Sequence, residues 1–99
     1  MAFVCLIRIE LHFPNGGSLK GKRKQLQSLK AALQRRFGAS VAETGHQELW
    51  QRAELSAALV GGAPGELQNV GAGIERFVYA QFPDGARVER HVVSTEEVL

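Results

Sequence analysis

Residues 3–13 read FVCLIRIELHF, and this stretch decides the fold. Every second side chain from Phe3 to Phe13 is apolar, while the positions between them become polar from Arg8 onward. Alternation with a period of two predicts a strand with one buried and one exposed face. The chain therefore opens on a strand that needs a covering layer on only one side.

A helix is predicted directly after this strand. Pro14-Asn15-Gly16-Gly17 favours a turn, and Ser18 is a natural N-cap for a helix that runs to about Arg36. Gly38 is suited to end that helix. The apolar residues repeat at helical spacing and form one stripe: Leu19, Leu26, Leu29, Leu33 and Phe37.

The remaining elements follow in the order strand, strand, helix, strand. Strands are predicted at about 39–44, 52–60 and 87–93, and a second helix follows Pro64. With the first strand and helix, this order predicts an α+β, ferredoxin-like βαββαβ fold: a four-stranded antiparallel sheet with two helices on one face. Residues 1–94 are expected to form the single domain, and 95–99 a short acidic tail that frays.

Length and composition exclude several classes of protein. The 99 residues make one small domain, and 44% of them are hydrophobic and 22% charged, as in globular proteins. No apolar run approaches the roughly 20 residues of a membrane span, so no membrane partner is expected. Cys5 has no second cysteine to pair with, which favours a cytoplasmic location.

The net charge of +2 conceals an uneven distribution. Residues 1–42 contain eight Lys or Arg and one acid, whereas residues 43–99 contain four Lys or Arg and nine acids. A local block of positive charge attracts phosphate groups. The predicted nucleic-acid-binding residues lie in the first helix: Lys20, Lys22, Arg23, Lys24, Lys30 and Arg35. A solvated helix face explains the same charges equally well.

Trp50 stands between the second and third predicted strands and has two interpretations. An indole at a loop can stack on an unpaired base. The interpretation favoured here is that Trp50 closes one end of a small core. Both interpretations are hypotheses.

The sequence does not favour an enzyme. His12, His46 and His91 show no metal-ligand spacing, and Cys5 falls on the apolar side of its strand. The phosphate-binding Gly-x4-Gly-Lys motif is absent. We expect no catalytic residues, no metal and no cofactor.

Three stretches resemble one family. They are Ser18-Leu19-Lys20-Gly21-Lys22-Arg23, residues 36–43 (RFGASVAE) and residues 49–53 (LWQRA). Their order and spacing resemble the YlxP-like family of small bacterial proteins, classed as a domain of unknown function. The resemblance implies a ferredoxin-like fold, and the family's genes often lie near those of translation and ribosome-maturation factors. The family usually has an acid where Gly21 stands, so this helix lacks a capping box with Ser18.

Two functions follow as hypotheses. The first is a non-enzymatic accessory factor that binds RNA or the ribosome through the basic first helix. The alternative is a homodimeric protein-interaction or small-ligand regulatory domain that uses the uncovered sheet face or an edge strand. That face is expected to carry Arg8, Glu10, Arg52 and Glu54 as cross-strand ion pairs.

Overall fold

The computed structural model describes residues 1–13 and 18–99, so the predicted turn at 14–17 lies outside the described residues. The strands are β1 (Phe3–His12), β2 (Ser40–Gly45), β3 (Arg52–Gly61) and β4 (Ala86–Ser94). The helices are α1 (Leu19–Phe37), α2 (Pro64–Gln81) and the short α3 (Thr95–Val98). The predicted order of elements is confirmed.

The four strands form one antiparallel sheet in the order β2-β3-β1-β4. The two longest strands, β1 and β3, are therefore central, with Cys5 opposite Leu59 and Leu11 opposite Ala53. Alternate residues of both strands are buried against α1 and α2, as period-two alternation requires. The opposite side of the sheet is not covered by these two helices, and we call it the open face.

Helix α1 begins and ends where its local sequence directs. The Ser18 hydroxyl accepts a hydrogen bond from the Gly21 N–H at 3.0 Å, which is the expected N-cap contact. Gly38 adopts the left-handed conformation at φ 69°, and its N–H donates to Gln34 at 3.1 Å. The predicted bounds of this helix are confirmed to within one residue.

The two glycines inside α2 mark close packing. A Cβ added at Gly71 would lie 3.1 Å from the sulfur of Cys5, and one at Gly73 would lie 3.3 Å from Phe37. Larger side chains at these positions would push α2 away from β1 and α1. Close approach of the helix to its neighbours therefore explains residues that are unfavourable for helix formation.

The acidic C-terminal segment, predicted to be a short tail, forms the one-turn helix α3 in the structure. Ser94 caps α3 by accepting a hydrogen bond from the Glu96 N–H at 3.2 Å. The Thr95 N–H donates to the Ala2 carbonyl at 3.0 Å, which joins this segment to the start of β1. Sequence patterns did not reveal this contact because its partners are 93 residues apart.

Candidate nucleic-acid interface

The exposed cations of α1 form the candidate interface. Lys20, Arg23, Lys24 and Arg35 are exposed, and Lys30 is half-buried beside them. We call these five residues the basic face of α1. Helical rise places the first and last of them about 22 Å apart along the axis.

The basic face has no carboxylate partners among the described residues. The ion pairs of the described residues are Arg8–Glu89 and Arg90–Glu75, and neither involves a residue of α1. Helix α1 contains no acidic residue, and the sequence has none between Glu10 and Glu43. The positive charge on this helix is therefore not neutralised within the described part of the chain.

Lys22 does not belong to this surface, and its assignment as a phosphate contact has to be corrected. Only 3% of Lys22 is exposed. Its Nζ donates to the carbonyl of His46 at 2.7 Å and to the carbonyl of Leu49. Lys22 thus holds the 46–51 loop, which connects β2 and β3, against the start of α1.

A sequence signal for this role did exist. Lys22 precedes Leu26, Leu29 and Leu33 by four, seven and eleven residues, so it lies on the buried stripe of α1. A lysine on such a stripe must carry its ammonium group to a polar partner. What the spacing did not reveal is that the partners are carbonyls of a loop more than twenty residues away.

Trp50 lies at the surface, so the favoured prediction that it closes the core was wrong. Its exposed fraction is 42%, and that of the neighbouring Leu49 is 48%. Neither residue belongs to the core or to the residues packed against it. At this end of the sheet the aromatic contact is instead made by Phe13 and Phe82, whose rings meet edge to face at 5.8 Å.

The backbone of the 46–51 loop is held on both sides of Trp50. Leu49 binds Lys22 through its carbonyl and donates its N–H to the carbonyl of His46 at 3.1 Å. The Gln51 carbonyl accepts from the Phe13 N–H at 2.7 Å. His46 takes a left-handed conformation at φ 61°, which is uncommon for a residue other than glycine.

The open face carries the predicted charges, but they pair differently. Arg8 contacts Glu89 of β4 at 3.3 Å, and both side chains are about half exposed. Glu10 lies opposite Glu54 in the β1–β3 register and opposite Arg87 in the β1–β4 register, and neither acid forms the expected ion pair with arginine among the described residues. Glu54 instead accepts a hydrogen bond from the Thr44 hydroxyl at 2.8 Å.

The other end of the open face is apolar, which the sequence interpretation did not anticipate. Leu6 and Val60 are 50% and 73% exposed. The strand register places Val4 opposite Val60 on one side and opposite Val93 on the other. The open face is therefore half charged and half apolar.

Cys5 lies in the core, as predicted from its place on β1. Burial raises the pKa of its thiol above its ordinary value, while the positive charge of Arg90 acts in the opposite direction. Within residues 1–13 and 18–99 no group of three His, Cys, Asp or Glu side chains is arranged to hold a metal ion. None of the helices described there is both long and apolar enough to cross a membrane.

A family model described as a protein of unknown function (DUF503) matches residues 4–92. The chain belongs to the DUF503 family. A relative described as the uncharacterized protein YlxP of Bacillus subtilis (strain 168) is 35% identical over 86 residues, which is 83% of this chain and 85% of the relative. The resemblance to the YlxP-like family is thereby confirmed.

Solved structures agree on the fold of this DUF503 protein. The de novo designed protein Foldit4 matches with a TM-score of 0.63 and 12% identity, over 95% of this chain and 98% of the design. A variant of SnoaB, a cofactor-independent oxygenase from Streptomyces nogalater, matches with a TM-score of 0.52 and 12% identity, over 93% of this chain and 91% of the oxygenase. At this identity the likeness shows the fold alone.

Proposed function

We propose that this DUF503 protein is a non-enzymatic, cytoplasmic RNA-binding accessory factor in translation or ribosome maturation. It binds the phosphate backbone through the basic face of α1. The observation that carries this proposal is a helix whose exposed cations have no carboxylate partner in the described part of the chain. Unneutralised cations in a row attract a polyanion and release its counterions on binding.

The experiment reverses charge on the helix and on a matched surface. The test variant combines Lys20→Glu, Arg23→Glu and Lys24→Glu. The control combines Arg52→Glu, Arg76→Glu and Arg87→Glu, three exposed arginines outside α1, and changes the net charge equally. The probe is a fluorescein-labelled RNA hairpin at about 50 mM salt, where phosphate contacts dominate affinity.

We expect the helix variant to lose binding while remaining folded by circular dichroism, and the control to keep most of it. The affinity of the parent protein should fall steeply as salt is raised, because binding releases the counterions of the contacted phosphates. Equal losses in the two triple variants would show that net charge alone causes binding. If only the helix variant loses binding, crosslinking in cells followed by sequencing of the bound RNA would identify the natural target.

A second candidate function is supported by the apolar end of the open face. Leu6, Val60 and Val93 would be buried if two copies met there. A two-fold axis parallel to the strands would place each apolar end on its counterpart, as an interface between identical chains requires. Analytical ultracentrifugation of the chain and of Leu6→Glu tests this homodimer, which has to dissociate in the variant.

A further inference from the structure

Trp50 and Leu49 form an exposed apolar patch on a loop whose backbone is hydrogen-bonded to the rest of the protein. The chain has one tryptophan, and it is neither packed into the core nor part of an aromatic pair among the described residues. Contact of large apolar side chains with water is unfavourable, and a ligand that covers them removes this cost. The loop that carries them nevertheless has three backbone carbonyls engaged, those of His46, Leu49 and Gln51.

The same buried lysine joins this loop to the basic face of α1. Lys22 stands between Lys20 and Arg23 in sequence, and its own side chain turns inward to the carbonyls of the loop. The backbone of the loop that carries Trp50 is therefore fixed at the N-terminal end of α1, the end where Lys20 and Arg23 lie. Because the Lys22 ammonium group is hydrogen-bonded to loop carbonyls, it orients the loop, and the exposed cations beside it are the ones available to bind phosphate.

An exposed aromatic ring on a loop anchored to the start of a cationic helix matches the chemistry of a nucleotide, which has an aromatic base beside an anionic phosphate. In a duplex the base faces are covered by neighbouring base pairs, so a side chain can stack only on a base that is unpaired. Resting on the proposed RNA-binding function, we propose that Trp50 stacks on an unpaired base of the bound RNA. Lys22 is the positioning residue that holds Trp50 for this contact.

The test compares a single-stranded ten-nucleotide RNA with a blunt duplex of the same length, using the intact chain. Stacking predicts that the single strand binds and quenches the fluorescence of Trp50, whereas the duplex leaves it unchanged. Trp50→Ala should weaken single-strand binding about tenfold, within the range found for base–aromatic stacking, and leave duplex binding unaltered. Trp50→Phe keeps a ring and should restore most of the loss.

Leu49→Ala is the matched control because Leu49 is apolar, adjacent and equally exposed, but has no ring to stack. Its single-strand affinity should stay within about twofold of the parent. If Leu49→Ala and Trp50→Ala lose equal affinity for the single strand, the ring of Trp50 has no special role and the stacking proposal is wrong.

Lys22→Met tests the positioning role. It should remove the preference for the single strand while leaving the salt dependence of binding unchanged, because Lys22 contacts no phosphate in this proposal. A merely structural role would weaken both RNAs alike. Since Lys22→Met can also destabilise the chain, the Trp50 variants decide the stacking proposal independently.

The outcomes separate this inference from the proposed function. If both RNAs bind equally without a fluorescence change, and the α1 charge reversal abolishes both, stacking is wrong and the proposed function stands. If neither RNA binds the parent protein at about 50 mM salt, both are wrong.

Discussion

Lys22 brings an ammonium group into a nearly closed site between α1 and the 46–51 loop. Removing a charge from water costs several kcal/mol unless hydrogen bonds replace its hydration. Two loop carbonyls supply those bonds. These two hydrogen bonds therefore stabilise the fold. Removal of the ammonium group would leave the carbonyls without a partner, and removal of the carbonyls would leave a buried charge without one.

We expect Lys22→Met to lower the free energy of unfolding by about 2–3 kcal/mol, because two carbonyls lose a charged hydrogen-bond donor. Urea denaturation measures the change. Lys24→Met is the matched control on the same helix, since Lys24 is exposed, and it should stay within about 0.5 kcal/mol of the parent. Equal effects of the two substitutions would contradict a structural role for Lys22.

The Cys5 thiol predicts a pH dependence of stability. Burial of the thiol raises its pKa in the folded state above its ordinary value. Between the unfolded and folded pKa values, the unfolded chain releases the thiol proton while the folded chain keeps it. This contribution is therefore fully present below the unfolded pKa and is lost as pH rises toward the folded pKa.

Cys5→Ala isolates this effect from other groups that titrate at high pH. At about pH 7 the parent should be the more stable protein, because alanine leaves a small cavity. Its advantage should shrink between about pH 8 and pH 10 as the unfolded thiol ionises. A constant difference in the free energy of unfolding across this range would show that the thiol does not contribute in this way.

At the scale of elements, the start of α1 is less stable than it could be, because Gly21 stands where a better helix-forming residue would fit. Gly21 occupies the third helical position, where a glutamate would complete a capping box with Ser18. A Cβ at Gly21 would meet the Ser18 hydroxyl at 3.6 Å, which is an ordinary contact. The site can therefore accept a side chain without displacing the cap.

We expect Gly21→Ala to raise the free energy of unfolding by up to about 1 kcal/mol through helix propensity. Gly21→Glu should add a few tenths more through the capping box and the helix dipole. Thermal and urea denaturation of both variants measure the two contributions. If glutamate is no better than alanine, a capping box does not form here.

Each element followed from its own residues to different degrees. Helix α1 was predicted to within one residue because Ser18 and Gly38 are local signals with local partners. Helix α3 was not predicted because the hydrogen bonds that hold its start are made to Ala2 at the opposite end of the chain. Local patterns report only on interactions that are themselves local.

At the scale of the whole molecule, the two sides of the sheet serve different purposes. The covered side contains the core, and the open face combines a charged end with an apolar end. The basic face of α1 belongs to neither surface. If RNA binds through α1 alone, the charges of the open face should be dispensable.

We expect the double variant Arg8→Gln with Arg52→Gln to keep nearly the stability and RNA affinity of the parent. The Arg8–Glu89 pair is about half exposed, and pairs of this kind contribute about 0–1 kcal/mol. Urea denaturation and anisotropy with the RNA hairpin are the measurements. A larger loss of affinity than in the α1 charge reversal would place the RNA on the sheet.

The sequence by itself determined the alternation of β1, the stripe and caps of α1, the order of elements and the resemblance to a family. All of these depend on residues close together along the chain or on motifs read in order. Tertiary structure alone decided that Lys22 turns inward, that Trp50 stays at the surface and that Arg8 pairs with Glu89. The physical reason is that these side chains take partners from distant segments, and only the strand register and the docking of α1 decide which atoms meet.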